Sequence, residues 1–247
     1  SNGTTAISSN RRFYNAPDVA LIQRRGAEPY FNIAIGSGYR GHPLHTETHD
    51  RFYSLRDRLP FAKLTQTQYQ TVAPIEDSDL VDVTDDLGSA SLPAGAPGWK
   101  LELRRNGGWT GEKVLADAVT LGGTILFTTY QPVETPTDPC LPATGINRAY
   151  ALKVDNAAPA LDFNNDAQLD ARDAFTQLAT RGIAGEVSLV MESTRGRDNG
   201  PPGDGGPTDP LGRRSLCVVG VEVLHQCVDP GAVVRTYWRR SAPGDNE

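Results

Sequence analysis

The chain is poor in almost everything that would simplify its reading. It has 3 Cys, 1 Met and 3 Trp in 247 residues, and 38% of its residues are hydrophobic. No apolar run approaches the roughly 18–20 residues that a membrane helix requires, so a helical span is excluded. Basic residues are outnumbered, 24 against 30 acidic, giving a net charge of −6. No basic stripe stands out beyond Arg235, Arg239 and Arg240 near the end. A nucleic-acid partner is therefore not expected, because phosphate binding draws on clustered positive charge. Three cysteines, Cys140, Cys217 and Cys227, allow one disulfide and one free thiol. Pairing that involves Cys217 or Cys227 is expected if the protein is exported.

What is abundant is punctuation: 25 Gly and 18 Pro. Frequent turns with modest hydrophobicity predict a loop-rich all-β protein. Tyr30–Gly36 reads as a strand, followed by a polar excursion and a return at Arg51–Arg56. In that return Tyr53 and Leu55 share one face, while Ser54 and Arg56 share the other; Phe52 blurs the alternation. The same grammar recurs. Thr124–Tyr130 is a strand, 131–147 an excursion and Arg148–Val154 the return. Glu186–Met191, the breaker-rich 193–213 and Ser215–Val223 form a third copy. Unevenly spaced copies suit propeller blades with different insertions better than a regular solenoid. Trp99–Leu103 and Lys113–Val119 also look like strands, and Gly122-Gly123 makes a tight turn into Thr124. A helix is expected over Pro74–Thr84, from the spacing of Leu80, Val83 and Leu87 and its acidic first turn. A short helix is expected over Ala171–Leu178.

One segment carries chemistry. In Asp162-Phe-Asn164-Asn-Asp166-Ala-Gln168-Leu-Asp170-Ala-Arg-Asp173, oxygen-bearing side chains stand at Asp162, Asn164, Asp166, Asp170 and Asp173, loop positions 1, 3, 5, 9 and 12. Calcium takes six to eight hard oxygens at about 2.3–2.6 Å, and a tightly wound loop with this spacing supplies them, position 7 through a backbone carbonyl, here that of Gln168. Two departures weaken the match to an EF-hand: Asp173 replaces the bidentate Glu, and Ala167 the turn Gly. The plain alternative is an acidic, solvated turn. Since Arg148–Val154 before it reads as a strand, this is an EF-hand-like loop grafted onto a β-fold. The acidic run from Glu76 to Asp86 reads as a solvated face. His42, His45 and His49 have zinc-like spacing, but Gly41 and Pro43 break the helix on which such spacing works best, so a polar loop is expected. No G-x-S-x-G, Walker loop or H-E-x-x-H is present.

Several strings taken in order resemble one family. Arg12–Val19, Ile35–Leu44, Asp50–Asp57, Gly98–Leu101, Gly111–Leu115, Leu126–Tyr130, the calcium loop and Val234–Trp238 are similar to the carboxy-terminal β-propeller of the PilY/PilC proteins, type IV pilus biogenesis factors and tip-associated adhesins. The resemblance spans about residues 11–240, leaving 1–10 and 241–247 as flexible tails. It implies an all-β fold of propeller-like blades and a Ca2+ site that regulates pilus extension and retraction. It also implies export to the pilus tip, outer membrane or cell surface. The partners implied are minor pilins of the tip complex and a host-surface or abiotic-surface ligand. Its calcium positions fall on Asp162, Asn164, Asp166, Gln168 and Asp170; a nine-residue loop suffices in the family, so Asp173 is a ligand by spacing alone. Arg195-Gly-Arg-Asp198 is not the Arg-Gly-Asp tripeptide of some members, so integrin binding is not carried over. The chain looks like the last part of a longer protein, an incomplete propeller with open sheet edges. A quinoprotein-like propeller oxidoreductase is the alternative, disfavoured because Trp99, Trp109 and Trp238 do not form the tryptophan docking repeat. A non-enzymatic role is expected.

Overall fold

The computed structural model describes residues 6–87, 91–93, 95–133, 145–192 and 214–228. Its strands are β1 (Asp18–Ile22), β2 (Tyr30–Gly36), β3 (Arg51–Asp57), β4 (Val81–Asp82), β5 (Gly98–Glu102), β6 (Arg104–Arg105), β7 (Gly108–Trp109), β8 (Val119–Leu121), β9 (Thr124–Gln131), β10 (Ile146–Lys153), β11 (Phe175–Gln177), β12 (Val187–Glu192), β13 (Arg214–Val219) and β14 (Glu222–Val223). The first large sheet runs β1-β2-β3-β5-β4, the second β11-β10-β9-β8 and the third β12-β13-β14, while β6 and β7 pair alone. The fold is all-β and propeller-like, with very little helix.

The three strand–excursion–return copies are the β2–β3, β9–β10 and β12–β13 pairs, all antiparallel; the first two are interior pairs of their sheets, while β12 is itself an edge of the third. Edge strands then complete each blade. β8 is joined to β9 through Gly122 and Gly123, whose φ values of +58° and +78° fit the left-handed turn that matches strand twist. Cys217 and Cys227 form a disulfide across ten residues, closing the third sheet's end. Cys140, the 193–213 excursion, Arg195–Asp198 and Val234–Trp238 lie outside the described residues.

The second sheet is buried on both faces. One face meets the first sheet in a cluster that includes Phe52, Trp99, Leu101, Ile125, Phe127, Tyr150 and Leu152. The other meets the third sheet through Leu126, Ala149, Ala151, Val187, Cys217 and Val219. Alternation along β9 and β10 thus serves two cores at once, which is why both read as near-continuous apolar runs. Rings continue through the first interface: Phe52 stacks on Phe127 at 3.8 Å, Phe127 on Tyr150 at 4.6 Å, and Phe175 tilts against Tyr150 at 5.3 Å. Such pairs contribute about 0.5–1.5 kcal/mol each beyond burial.

In β3 the residue within the core cluster is Phe52, with Ser54 buried on the same face because its hydroxyl donates to Asn32 Oδ1 at 2.6 Å; Tyr53, on the opposite face, is buried as well. Three expectations are corrected. Pro74–Thr84 is not a helix. It contains a 3-10 turn over Asp77–Asp79 and then β4, which pairs in parallel with β5. Ala171–Leu178 holds only a 3-10 turn over Ala171–Asp173 before β11. Lys113–Val119 is not one strand: Lys113 makes a single bridge to Tyr130, and only Val119, the first residue of β8, lies in a strand. Its backbone is committed elsewhere, with Val114 N donating to Ser37 O at 2.9 Å. That contact needs Gly36, where a Cβ would lie 2.3 Å from the Val114 side chain. The one α-helix among the described residues, α1 (Gln66–Gln70), is closed by a capping box between Thr65 and Gln68.

Candidate metal centre

Residues 162–173 leave the second sheet after β10 and return to it at β11. Asx turns wind the loop, each using a side chain that the sequence placed at a ligand position. Asp162 Oδ1 accepts the amides of Asn165 at 2.7 Å and Asp166 at 3.3 Å, and its Oδ2 accepts that of Ala167 at 2.8 Å. Asn164 Oδ1 accepts the amide of Asp166, and Asp166 Oδ1 that of Gln168, both at 2.9 Å. Asn165 and Ala167 sit at φ +64° and +62°. Ala167 thus adopts the left-handed conformation for which a Gly is favoured, at a cost of about 1–2 kcal/mol.

Asp173 is the anchor. It is fully buried, and its Oδ1 accepts the amides of Phe163 and Asn164 while Oδ2 accepts that of Asp170. A carboxylate oxygen has two lone pairs, so Oδ2 retains one. Ligand oxygens of Asp162, Asp166 and Asp173 lie within 4.8 Å of one another. Among the described residues this is the one group of three or more His, Cys, Asp or Glu side chains that converges so closely. Asp170 stands apart: it caps the 3-10 turn by accepting the amide of Arg172 at 2.8 Å. Hydrogen bonding from the Arg172 side chain lowers its pKa.

The donor set fits a hard divalent cation. It is all oxygen, three converging members are carboxylates, and the amides that wind the loop occupy only part of their lone pairs. Asp162, Asn164, Asp166 and Asp173 would hold the ion from side chains, Gln168 through its carbonyl, and Asp170 directly or through water. Calcium would supply the positive charge that three converging carboxylates lack.

Sequence reasoning missed one partner. Gln226 Oε1 accepts the amide of Asp162 at 3.1 Å, and its Nε2 donates to Asn165 Oδ1 at 3.4 Å. Gln226 precedes Cys227, so the disulfide of the third sheet braces the loop. No local signal could reveal a contact across 64 residues.

The other candidates do not converge. His42 and His45 meet edge to face at 6.0 Å, and His49 stacks on Trp109 at 4.0 Å. Trp99 is buried, its indole donating to Val154 O at 3.0 Å. Asp77, from the acidic run, is consumed by Arg51 at 2.6 Å, Lys100 at 2.7 Å and the Tyr53 hydroxyl at 3.0 Å. No helix among the described residues is long and apolar enough to cross a membrane.

No family model matches the sequence, and no curated protein does. Among solved structures the chain is similar to the crystal structure of the Pseudomonas aeruginosa PilY1 C-terminal domain, with a TM-score of 0.54 at 15% identity. The match covers 90% of this chain and 45% of that one, so the chain spans less than half of that structure's length. The chain shares the fold of part of that domain.

Proposed function

We propose that the chain is a calcium-binding module of a type IV pilus factor. It acts outside the cell, at the pilus tip or on the surface, in pilus extension and retraction and in attachment. The observation that carries this reading is the convergence of Asp162, Asp166 and Asp173 within 4.8 Å, in a loop whose spacing was predicted to bind calcium, on a PilY1-like fold. The PilY/PilC resemblance of the sequence supplies the pilus context, with minor pilins of the tip complex as partners and a host or abiotic surface as adhesion ligand. The disulfide suits an oxidising compartment. The role is one of assembly and adhesion rather than catalysis.

Calorimetric titration of calcium tests the site. One ion per chain is expected for the wild type. Asp166→Ala should abolish binding, because loss of a central carboxylate leaves too little charge to offset dehydration of the ion. Equal affinities in the two proteins would overturn the assignment. The pilus role is tested by introducing Asp166→Ala in the producing bacterium. Calcium-dependent surface piliation should be lost while the protein is still exported.

A further inference from the structure

The Asp166 carboxylate has two unlike oxygens. Oδ1 is held by the Gln168 amide within the loop. Oδ2 faces Arg172, whose Nη2 lies 2.8 Å away. The same nitrogen is 2.7 Å from Asp170 Oδ2, and Arg172 Nε is 3.0 and 3.1 Å from the two Asp170 oxygens. One guanidinium therefore bridges two of the loop's ligand positions from the eleventh residue of the same loop. Its side chain is 65% exposed, so nothing packs it in place and it can leave without disturbing the core.

We infer that Arg172 is a built-in counter-cation of the loop, which occupies Asp166 and Asp170 when calcium is scarce and must be displaced for calcium to bind. The inference rests on the calcium reading above and adds how the site's threshold is set. Like carboxylates this close repel one another, weakly in water and more strongly at a protein surface. The loop amides offset part of that repulsion, and Arg172 offsets more. Asp166 Oδ1 already accepts the Gln168 amide, so Oδ2 is the oxygen that, Arg172 apart, has both lone pairs to offer an ion, and a guanidinium and a metal cannot share it at bonding distance. An exposed ion pair is worth little, so the competition is one that calcium wins, but at a higher concentration than without it. Once displaced, the guanidinium still stands near the ion as a like charge. Both effects push the calcium threshold upward, as suits a site that responds to extracellular calcium rather than staying filled.

Two variants and two readouts test this. Arg172→Gln keeps length and removes charge; Arg172→Lys keeps charge and loses the bridging fork. Calcium titration should give Arg172→Gln a Kd about tenfold lower than the wild type, with Arg172→Lys in between. In chelator, Arg172→Gln should melt a few degrees below the wild type, and saturating calcium should erase or reverse that difference. A deficit in chelator that saturating calcium removes or inverts is the signature, since a merely structural arginine would lower stability in both. Equal or weaker calcium affinity in Arg172→Gln, with the wild type binding normally, would overturn the role of Arg172 alone. Absence of calcium binding in both proteins would overturn the calcium reading, and this inference with it.

Discussion

Gln226 accepts the amide of Asp162, the first residue of the acidic loop, and is covalently adjacent to Cys227 of the only disulfide among the described residues. The loop is therefore braced by the third sheet as well as by the second, from which it springs. Binding of an ion requires the loop to be held in one winding, and this brace fixes the end at which the winding starts. Reduction of the disulfide, or Cys217→Ser with Cys227→Ser, should cost about 2–3 kcal/mol by loop-closure entropy. It should also weaken calcium binding several-fold. Gln226→Ala should reproduce the affinity loss with a smaller loss of stability. Calorimetry and urea unfolding of the three proteins check the pair of effects; an unchanged Kd in Gln226→Ala would show that the brace is not used.

Asp173 is predicted to matter with or without calcium. It is buried and accepts three backbone amides. Asp173→Asn presents an amide group where donors already point. One loop N–H is then left unpaired, at about 1–3 kcal/mol. Urea unfolding in chelator should show that loss. If Asp173→Asn matches the wild type in chelator and differs only in calcium, Asp173 is a ligand and not an anchor.

Much of this was readable locally. The loop from Asp162 to Asp173 is legible because its hydrogen bonds, like its spacing, close within a dozen residues. The β2–β3, β9–β10 and β12–β13 pairs are legible because apolar strands flank long polar excursions. What failed depends on distant partners. Leu80 and Val83 sit three residues apart, which a helix allows; but Val81 pairs with Trp99 in parallel, and Val83 N donates to Lys100 O at 3.0 Å. β11 exists because β10 offers an open edge to Phe175, a fact absent from residues 171–178 themselves. Phe52 looked like noise in β3 because its partner Phe127 lies in the next blade. The acidic stretch from Glu76 to Asp86 looked solvated because the partners of Asp77, which are Arg51, Lys100 and Tyr53, are remote in sequence.

Asp77 sets an expected acid response. Burial works against its ionised form, but hydrogen bonds from Lys100 and Arg51 prevail and hold its pKa well below the ordinary carboxylate range. A carboxyl depressed on folding adds stability that is complete above its unfolded pKa, near 3.9, and is lost as pH falls through the lower folded value. Its side chain is 35% exposed, so solvent screening keeps the effect modest. The urea midpoint of the wild type should therefore fall more steeply between about pH 4 and pH 2 than that of Asp77→Asn. Parallel pH profiles for the two proteins would show that Asp77 contributes no such term.

The largest single loss is expected at Glu112. Its carboxylate is fully buried and receives Arg105 through two bonds of 2.9 Å, Arg148 at 3.1 Å, Thr129 at 2.7 Å and the Tyr150 hydroxyl at 2.9 Å. Burial alone would raise its pKa, but Arg105 and Arg148 overcome that and lower it. Both guanidinium groups also lie over Phe175, at 4.3 and 5.5 Å from the ring centre, so the cluster ties the β6 hairpin to β10 and β11. Glu112→Gln keeps the shape but leaves two positive charges facing each other without a counter-ion. Breaking a buried ion pair in this way costs about 3–5 kcal/mol. Replacing all three charges, with Glu112→Leu, Arg105→Met and Arg148→Met together, should restore much of the loss, because no unpaired charge then remains. Chemical denaturation at neutral pH measures both proteins. A Glu112→Gln protein within 1 kcal/mol of the wild type would mean that water reaches the cluster and solvates what the mutation exposes.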